Sequence, residues 1–344
     1  MNGRSAPVRR GVRAALLVAI TVLALAAATS YVVYARGRQQ AAARRAPATA
    51  VVSLAAVSSG PHLVFRSTVP GNDYGHLAVA SLSDPDGPRA TTPANCDRAY
   101  SRPTGTVCLQ AQRGIVTTYR IQTFDAGWHT GTDAPLTGLP SRARLSPDGS
   151  LTATTTFVYG DSYTNPGQFS TRTLVSRTGG AQVADLEQFT LMIDGKQVTA
   201  ADRNLWGVTF ADDDVFYATA ATGGRTWLVR GSMAARRLVS IRSDVECPSL
   251  SPDGTRIAFK RHGGLPPGQW RLAVYDLSTG RETMLAEQRS VDDQVEWLDD
   301  THVLYGLPRT GAATATQDVW VAPADGTGAA RVYVHDAWSP SVVR

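Results

Sequence analysis

Few residues of this sequence have the types and spacings that mark an active site. No G-x-S-x-G segment occurs, and no glycine-rich phosphate loop follows a strand pattern and opens a helix. Histidines are scarce and lack the H-x-x-x-H or H-E-x-x-H spacing of a metal site: His62, His76, His129, His262, His302 and His335. We therefore expect no catalytic residue, no metal ion and no cofactor, and we expect that the chain is not an enzyme.

Acidic residues are absent from the first 59 positions, which contain eight arginines: Arg4, Arg9, Arg10, Arg13, Arg36, Arg38, Arg44 and Arg45. The net charge of +5 comes from this segment, because the remainder holds slightly more acidic than basic residues. A nucleic-acid surface needs a basic patch on the folded part, and the composition does not supply one. We therefore expect no nucleic-acid partner.

Charge is also missing from residues 14–34, which are almost entirely apolar. As a helix rising about 1.5 Å per residue, this run spans a hydrocarbon core of roughly 30 Å. Arg9, Arg10 and Arg13 precede it, which favours a cytoplasmic N-terminus. A signal peptide cleaved near Ala27 or Ala43 is the alternative. In either case the rest of the chain is exported, and we expect a single-pass cell-membrane protein.

Cysteine is limited to Cys96, Cys108 and Cys247. Exported proteins keep disulfides, and Cys96 and Cys108 flank a turn-rich segment, so they are expected to pair. Closing so short a loop stabilises by about 3 kcal/mol in the chain-entropy model. Three unpaired core thiols are the alternative. Cys247 is interpreted as a small buried hydrophobic residue.

A turn motif recurs along the chain from residue 60 onward. LSPDGS at residues 145–150 and LSPDGT at 250–255 are each followed by an apolar, β-prone run. Two degenerate copies lie at residues 210–218 and 297–306. The intervals of about 41 to 64 residues are typical of a four-stranded propeller blade with insertions. Proline and glycine suit the second and fourth positions of a β-turn, which here joins the innermost strand to the second.

Strand patterns after each turn complete six units of roughly 47 residues. The unit that begins near His62 lacks an inner strand, and the chain ends in DAWSPSVVR, where SPS is like a shortened SPDG. We therefore expect the C-terminal residues to supply the missing strand and to close the ring.

The segments ECPSLSPDGTRIAFK, WRLAVYDLSTG and DVWVAPADGTG resemble the PD40 repeats of the TolB-like propeller family. This resemblance implies a β-propeller. With the six units and the apolar N-terminal run, the expected fold class is all-β, a six-bladed β-propeller preceded by one N-terminal transmembrane helix. The expected divisions are a cytoplasmic head (1–13), a transmembrane helix (14–34), a linker (35–59) and the propeller (60–344). TolB carries an α/β domain before its propeller, whereas this chain has an anchor and linker there. Its Tol–Pal role is therefore not carried over.

The longest insertions fall between second and third strands, so they share one rim of the propeller: residues 67–75, 160–168, 261–269 and 308–318. Such a rim is a usual place for binding, although tolerated surface insertions are the alternative. The expected binding residues at the channel mouth are Arg203, Trp206, Arg242, Asp244, Glu246, Arg289, Asp292, Asp293 and Glu296. Trp206 and Trp270 are the candidate pocket aromatics.

Three arrangements are open for these side chains. The carboxylates pair with Arg203, Arg242 and Arg289, or form part of a ligand or peptide pocket, or converge on a hard cation such as Ca²⁺. A propeller fold does not by itself define a function. We expect a membrane-anchored, extracytoplasmic protein-binding or scaffold module of the cell envelope with a protein or peptide partner. A propeller hydrolase or lactonase with a carboxylate-lined channel metal is the alternative, and a small-molecule ligand is left open.

Overall fold

The computed structural model describes residues 7–45, 50–158, 170–311 and 316–344. The chain divides into two compact units. One contains the N-terminal helix and Pro70–Asn72, and the other is a β-rich unit that contains residues 48–69 and 73–344.

Helix α1 spans Pro7–Arg45, which is longer at both ends than the apolar run of residues 14–34. Its stretch Gly11–Arg38 is long and apolar enough to cross a membrane, a property that signal sequences share. The hydroxyl of Thr21 donates to the carbonyl of Leu17 at 2.9 Å, so this polar group is satisfied within the helix. A single apolar N-terminal helix is therefore confirmed.

The residues just before the propeller belong to its fold. Val51 forms a parallel bridge to Arg89. Helix α2 (Leu54–Ser58) follows, capped by the Ser53 hydroxyl, and buries Val57. The segment expected as a linker over residues 35–59 is thus helical up to Arg45 and packed on the first blade at its end.

The β-rich unit consists of blades one to six, numbered along the chain. The first three blades contain the following strands in chain order: β1 (His62–Ser67), β2 (His76–Ser81) and β3 (Arg89–Asn95); β4 (Arg98–Arg102), β5 (Gly105–Gln112), β6 (Thr118–Phe124) and β7 (Thr130–Pro135); β8 (Leu139–Leu145), β9 (Leu151–Val158), β10 (Ser170–Arg177) and β11 (Gln182–Asp185). A 3₁₀ turn, Leu186–Gln188, follows β11.

The remaining strands build blades four to six and complete blade one. They are β12 (Thr190–Ile193), β13 (Lys196–Val198), β14 (Asn204–Phe210), β15 (Val215–Thr222), β16 (Arg225–Ser232) and β17 (Arg237–Ser243); β18 (Glu246–Leu250), β19 (Arg256–Arg261), β20 (Arg271–Asp276) and β21 (Glu282–Met284); β22 (Glu296–Trp297), β23 (His302–Pro308), β24 (Gln317–Pro323), β25 (Arg331–Val334) and β26 (Ala337–Val343). Within the described residues these strands form six sheets, which confirms the six-bladed propeller.

Side-chain hydrogen bonds explain why the SPDG motif turns the chain. In the first copy the Ser146 hydroxyl donates to Asp148, and the same carboxylate accepts from the Ser150 amide at 2.9 Å. The bond from Ser146 lowers the pKa of Asp148 to about 2. Gly149 has a φ of 77°, and a Cβ there would lie 1.9 Å from the Thr104 hydroxyl oxygen. Glycine is therefore required at this position.

The C-terminus closes the ring as the sequence predicts. Strand β26 pairs antiparallel with β1, with His62 opposite Val343 and Leu63 opposite Val342. The sheet of blade one has the order β26-β1-β2-β3, so its inner strand comes from the other end of the chain. This pairing covers the edge of β1 that would otherwise be exposed.

Two features differ from the sequence-based expectations. The turn-rich segment between the cysteines contains β4, the inner strand of blade two, and the start of β5, so its turn is confined to Pro103 and Thr104. The hairpin of β12 and β13 extends blade four, because β12 pairs in parallel with β17. This hairpin lies within the longest of the intervals between the repeated turns.

The expected disulfide between Cys96 and Cys108 is present, and Cys247 is free and buried.

Candidate functional site

The strand order gives the propeller two different faces. Turns between first and second strands, and between third and fourth strands, lie on what we call the lower face. Loops between second and third strands, and loops between blades, lie on what we call the upper rim. The expected insertions at residues 67–75 and 261–269 lie on the upper rim. Residues 160–168 lie outside the described residues, as do positions 312–315 of the insertion at 308–318.

A loop of blade two that was not foreseen also lies on the upper rim. It connects β5 to β6 and carries Ile115 and Val116, both of which are highly exposed. Tyr74, in the loop between β1 and β2, is also exposed and lies beneath the guanidinium of Arg66. The upper rim therefore presents apolar side chains to solvent.

The central channel is lined by the inner strands β26, β4, β8, β14, β18 and β22. Its middle is closed by an ion pair between blades three and six, which are opposite in a ring of six. Arg144 of β8 lies 3.5 Å from Glu296 of β22 and donates to the carbonyl of Val295 at 3.1 Å. Tyr100 completes this layer, because its hydroxyl donates to Glu296 at 3.4 Å and its ring lies under Arg144. We call these three residues the channel floor.

A second charged layer lies above the channel floor, toward the upper rim. Arg142 of β8 lies 3.9 Å from Asp292, and Arg98 of β4 lies 4.0 Å from Asp293. Arg98 also stacks on Trp338 of β26, with its guanidinium carbon 4.1 Å from the ring centroid. Three blades therefore contribute charged groups to this upper layer.

Blade five adds a chain of polar contacts at the same height. Lys260 donates to Asp292 at 2.7 Å and lies 4.1 Å from the centroid of the Trp270 ring. The indole of Trp270 donates to Glu246 at 2.9 Å. Lys260 is buried, whereas the Asp292 side chain is 66% exposed. Asp292 thus marks the place where solvent reaches the charged layer.

Burial and like charge shape the electrostatics of the channel. Burial, reinforced by the nearby Arg142, lowers the pKa of Arg98 to about 10. Burial raises the pKa of Asp293 and of Glu296, and the neighbouring guanidiniums of Arg98 and Arg144 act in the opposite direction. The channel is therefore a low-dielectric site in which charges interact strongly.

Four of the nine expected residues lie in the channel network just described: Glu246, Asp292, Asp293 and Glu296. Asp293 is almost fully buried, and it accepts from the amides of Gly306 and Gln294, both at 2.9 Å. Asp293 therefore also fixes the backbone of its own blade. Whether these four residues bind a partner stays a prediction.

The arginines expected to pair with these carboxylates have other partners. Arg242 lies on the outer strand β17 and pairs with Glu282 of the next blade. Arg289 pairs with Glu287 and stacks on Trp320. Arg203 donates to the carbonyl of Ala200. Among the described residues, these three arginines therefore pair with groups other than the channel carboxylates.

The last two expected residues are Asp244 and Trp206. Asp244 accepts from the amides of His262 and Gly263 and from Arg261, and so orders the loop after β19. Trp206 is buried in β14.

The cations of the channel were missed at the sequence level: Arg98, Arg102, Arg142, Arg144 and Lys260. For the four arginines, the signal is the alternation of arginine or tyrosine with small residues in SRARL and RAYSR, each just before a turn into a second strand. Within the described residues, no group of three histidine, cysteine, aspartate or glutamate side chains is placed to hold a metal ion.

Comparison with known proteins shows similarity at the level of fold. No family model matches the sequence, and the search of curated proteins gave no match. The structure is similar to TolB from Acinetobacter baumannii, with 18% identity, a TM-score of 0.56, and coverage of 84% of this chain and 68% of that chain. It also matches a putative TolB from Agrobacterium tumefaciens, with 13% identity, a TM-score of 0.46, and coverage of 79% of this chain and 87% of that one.

A third match is a puromycin-hydrolyzing peptidase from Mycobacterium tuberculosis, with 14% identity and a TM-score of 0.47, covering 80% of this chain and 43% of that chain. The match to TolB from Acinetobacter baumannii confirms the resemblance to the TolB-like propeller fold. At such low identity the likeness concerns the fold alone.

Proposed function

We propose that this chain is a binding or scaffold module of the cell envelope, anchored by its N-terminal helix. Residues 1–13 form a cytoplasmic head, residues 14–34 cross the membrane, and the propeller lies outside the cytoplasm. The partner is an envelope protein or peptide that contacts the upper rim. TolB-like propellers give this proposal its structural precedent.

The observation that carries the proposal is the contrast between the two faces. Residues 50–58 join the propeller at the lower face, where α2 lies beside the turn at Ser81 and Leu82 and near Leu298. The upper rim is the opposite face and carries the exposed apolar residues Ile115 and Val116. Exposed apolar groups around a charged recess are typical of interaction surfaces.

The alternative, a propeller hydrolase or lactonase with a channel metal, has less support from the described channel residues. Its carboxylates are held by arginine, lysine, tyrosine and backbone amide groups, and Glu296 alone accepts from Tyr100 and the Val342 amide. A cation site needs several oxygen ligands that are free to converge on one point.

Site-specific photocrosslinking in native membranes tests the proposed function. A photoreactive residue is placed at Tyr74 or Ile115 on the upper rim, and at Ser278 or Asp325 in turns of the lower face as matched controls. We expect discrete protein adducts from the rim positions only. Adducts from the lower face alone, or none from either face, would overturn the proposal.

Membrane topology is tested on the same cells. External protease applied to spheroplasts should digest the propeller and spare the cytoplasmic head. Protection of the propeller in intact spheroplasts would show that it is not exported.

A further inference from the structure

We propose that the upper part of the channel binds a small anion that bears a carboxylate or phosphate group, held by Arg98 and Arg142. This site goes beyond the proposed function, because it needs no protein partner. The argument rests on guanidinium groups that are buried without adequate partners.

Arg98 and Arg142 are poorly satisfied among the described residues. Their side chains are 18% and 11% exposed. Arg98 donates no hydrogen bond there, and the Nε of Arg142 is buried without a partner. Arg142 donates from Nη1 to the carbonyl of Ser141 at 2.8 Å, and the Cys247 thiol is its other, weak partner. A guanidinium offers five donors, and leaving them unpaired in a buried site costs free energy.

The nearby carboxylates do not fill this deficit, because each is engaged elsewhere. The contacts of Arg142 with Asp292 and of Arg98 with Asp293, at 3.9 and 4.0 Å, are too long for direct hydrogen bonds. Asp292 accepts at 2.7 Å from Lys260. Asp293 accepts from two backbone amides of its own blade.

In the recess above the channel floor, cations and carboxylates are equal in number. The cationic side chains there are Arg98, Arg142 and Lys260. The carboxylates there are Glu246, Asp292 and Asp293. The Cys247 thiol lies beside Arg142 and adds a weak polar contact. Arg142 and Arg98 act on each other as like charges, which lowers the pKa of Arg98 further than burial alone. An anion between them would neutralise this repulsion.

The recess is open above and closed below. Exposure of the Asp292 side chain shows that solvent reaches this layer from the upper rim. The channel floor of Arg144, Glu296 and Tyr100 blocks passage further down. A ligand that enters from the rim therefore stops at the level of Arg98 and Arg142. Planar guanidinium forks hold carboxylate and phosphate oxygens in bidentate fashion, which sets the class of anion.

Isothermal titration of the purified full-length chain in non-ionic detergent tests the site. The probes are inorganic phosphate and citrate, at constant ionic strength maintained with chloride. We expect saturable binding of at least one probe, weakened about tenfold or more in R142Q and in R98Q. Binding of phosphate alone assigns the site to phosphate groups, and binding of citrate alone assigns it to carboxylates.

R113Q is the matched control, since Arg113 lies on the same rim with a side chain that is 72% exposed and pairs with Asp97. It should bind like the wild type. Far-UV circular dichroism identifies any variant that fails to fold. If one of the two channel variants does not fold, the other is enough to test the site. No saturable binding of either probe by the wild type would overturn the proposal. So would unchanged affinity in a folded R142Q or R98Q.

Discussion

Arg144 and Glu296 join opposite sides of the propeller through its channel. Their side chains are both almost fully buried and lie 3.5 Å apart, although about 150 residues separate them in the sequence. Buried charges are tolerated when they are paired and further hydrogen-bonded, as Glu296 is by Tyr100 and the Val342 amide. The pair therefore ties together segments from blades one, two, three and six.

Removal of one partner of this pair should destabilise the chain strongly. We expect Glu296→Gln and Arg144→Met each to lower the free energy of unfolding by about 3 to 5 kcal/mol, because each leaves a buried charge unpaired. The double variant Arg144→Met/Glu296→Gln should lose less than the sum of the two. Urea unfolding of the full-length chain in detergent measures these differences.

The exposed pair of Arg113 and Asp97 is the control for this experiment. Arg113→Ala should change the free energy of unfolding by at most about 1 kcal/mol, because water screens the interaction. Additive losses in the double variant, or single losses as small as that of Arg113→Ala, would contradict the assigned role of the channel pair.

The disulfide between Cys96 and Cys108 should stabilise blade two. It connects the segment before the inner strand β4 to β5, closing a short loop. Loss of this link in Cys96→Ser/Cys108→Ser should lower the free energy of unfolding by about 3 kcal/mol. Reductant should destabilise the wild type by a similar amount and leave the double variant unaffected. Equal sensitivity of both proteins to reductant would show that the stabilisation has another source.

Turn chemistry made the propeller predictable from the sequence. The six residues of the motif contain everything that the turn needs. Ser146 hydrogen-bonds to Asp148, and Gly149 adopts a positive φ, so the motif marks a turn wherever it recurs. The hairpin of β12 and β13 was missed even though Asp194 and Gly195, both with positive φ, form a recognisable hairpin turn. It interrupts the repeat instead of following it, so the blade pattern gave no reason to expect it.

The channel was predicted only in part, for a physical reason. The positions of Asp292, Asp293 and Glu296 follow from their place just before and within an inner strand. Their partners depend on how six blades meet around an axis, which local patterns do not encode. Arg142 and Arg144 come from the opposite blade, and no spacing rule connects them to Glu296.

Loss of the C-terminal strand should open the ring. Deletion of residues 337–344 removes β26 and exposes the edge of β1, so we expect loss of cooperative unfolding or aggregation. The milder Val342→Ala should lower the free energy of unfolding by about 1 to 3 kcal/mol, because Val342 is buried against blade one. Size-exclusion chromatography and thermal unfolding measure both effects.

Arg344→Ala is the control for the deletion. Arg344 is exposed, and its side chain donates to the carbonyl of Leu298, so its loss should cost less than about 1 kcal/mol. A fully stable, monomeric truncated chain would contradict the closing role of β26.

Glu187 should make the stability of the propeller depend on pH. Burial, together with the carboxylate of Asp185, raises the pKa of Glu187 to about 9, while its oxygens accept from the Thr173 amide. The unfolded chain ionises this group near its ordinary value of about 4.5. The native state thus holds a proton that the unfolded state releases, and the stabilisation is lost as the pH rises from about 4.5 to 9.

The variant Glu187→Gln should remove this dependence. A glutamine stays neutral, can still accept from the Thr173 amide and can donate to Asp185, so the variant should gain stability over the wild type progressively between pH 5 and 9. Asp276→Asn provides a control of opposite sign, because its hydroxyl and amide donors lower the pKa of Asp276 to about 2. The stabilisation that the ionised Asp276 carboxylate gives the native state is lost only as the pH falls below about 4. Denaturant unfolding at several pH values measures the differences, and parallel curves for wild type and Glu187→Gln would show that Glu187 is ionised in the native protein.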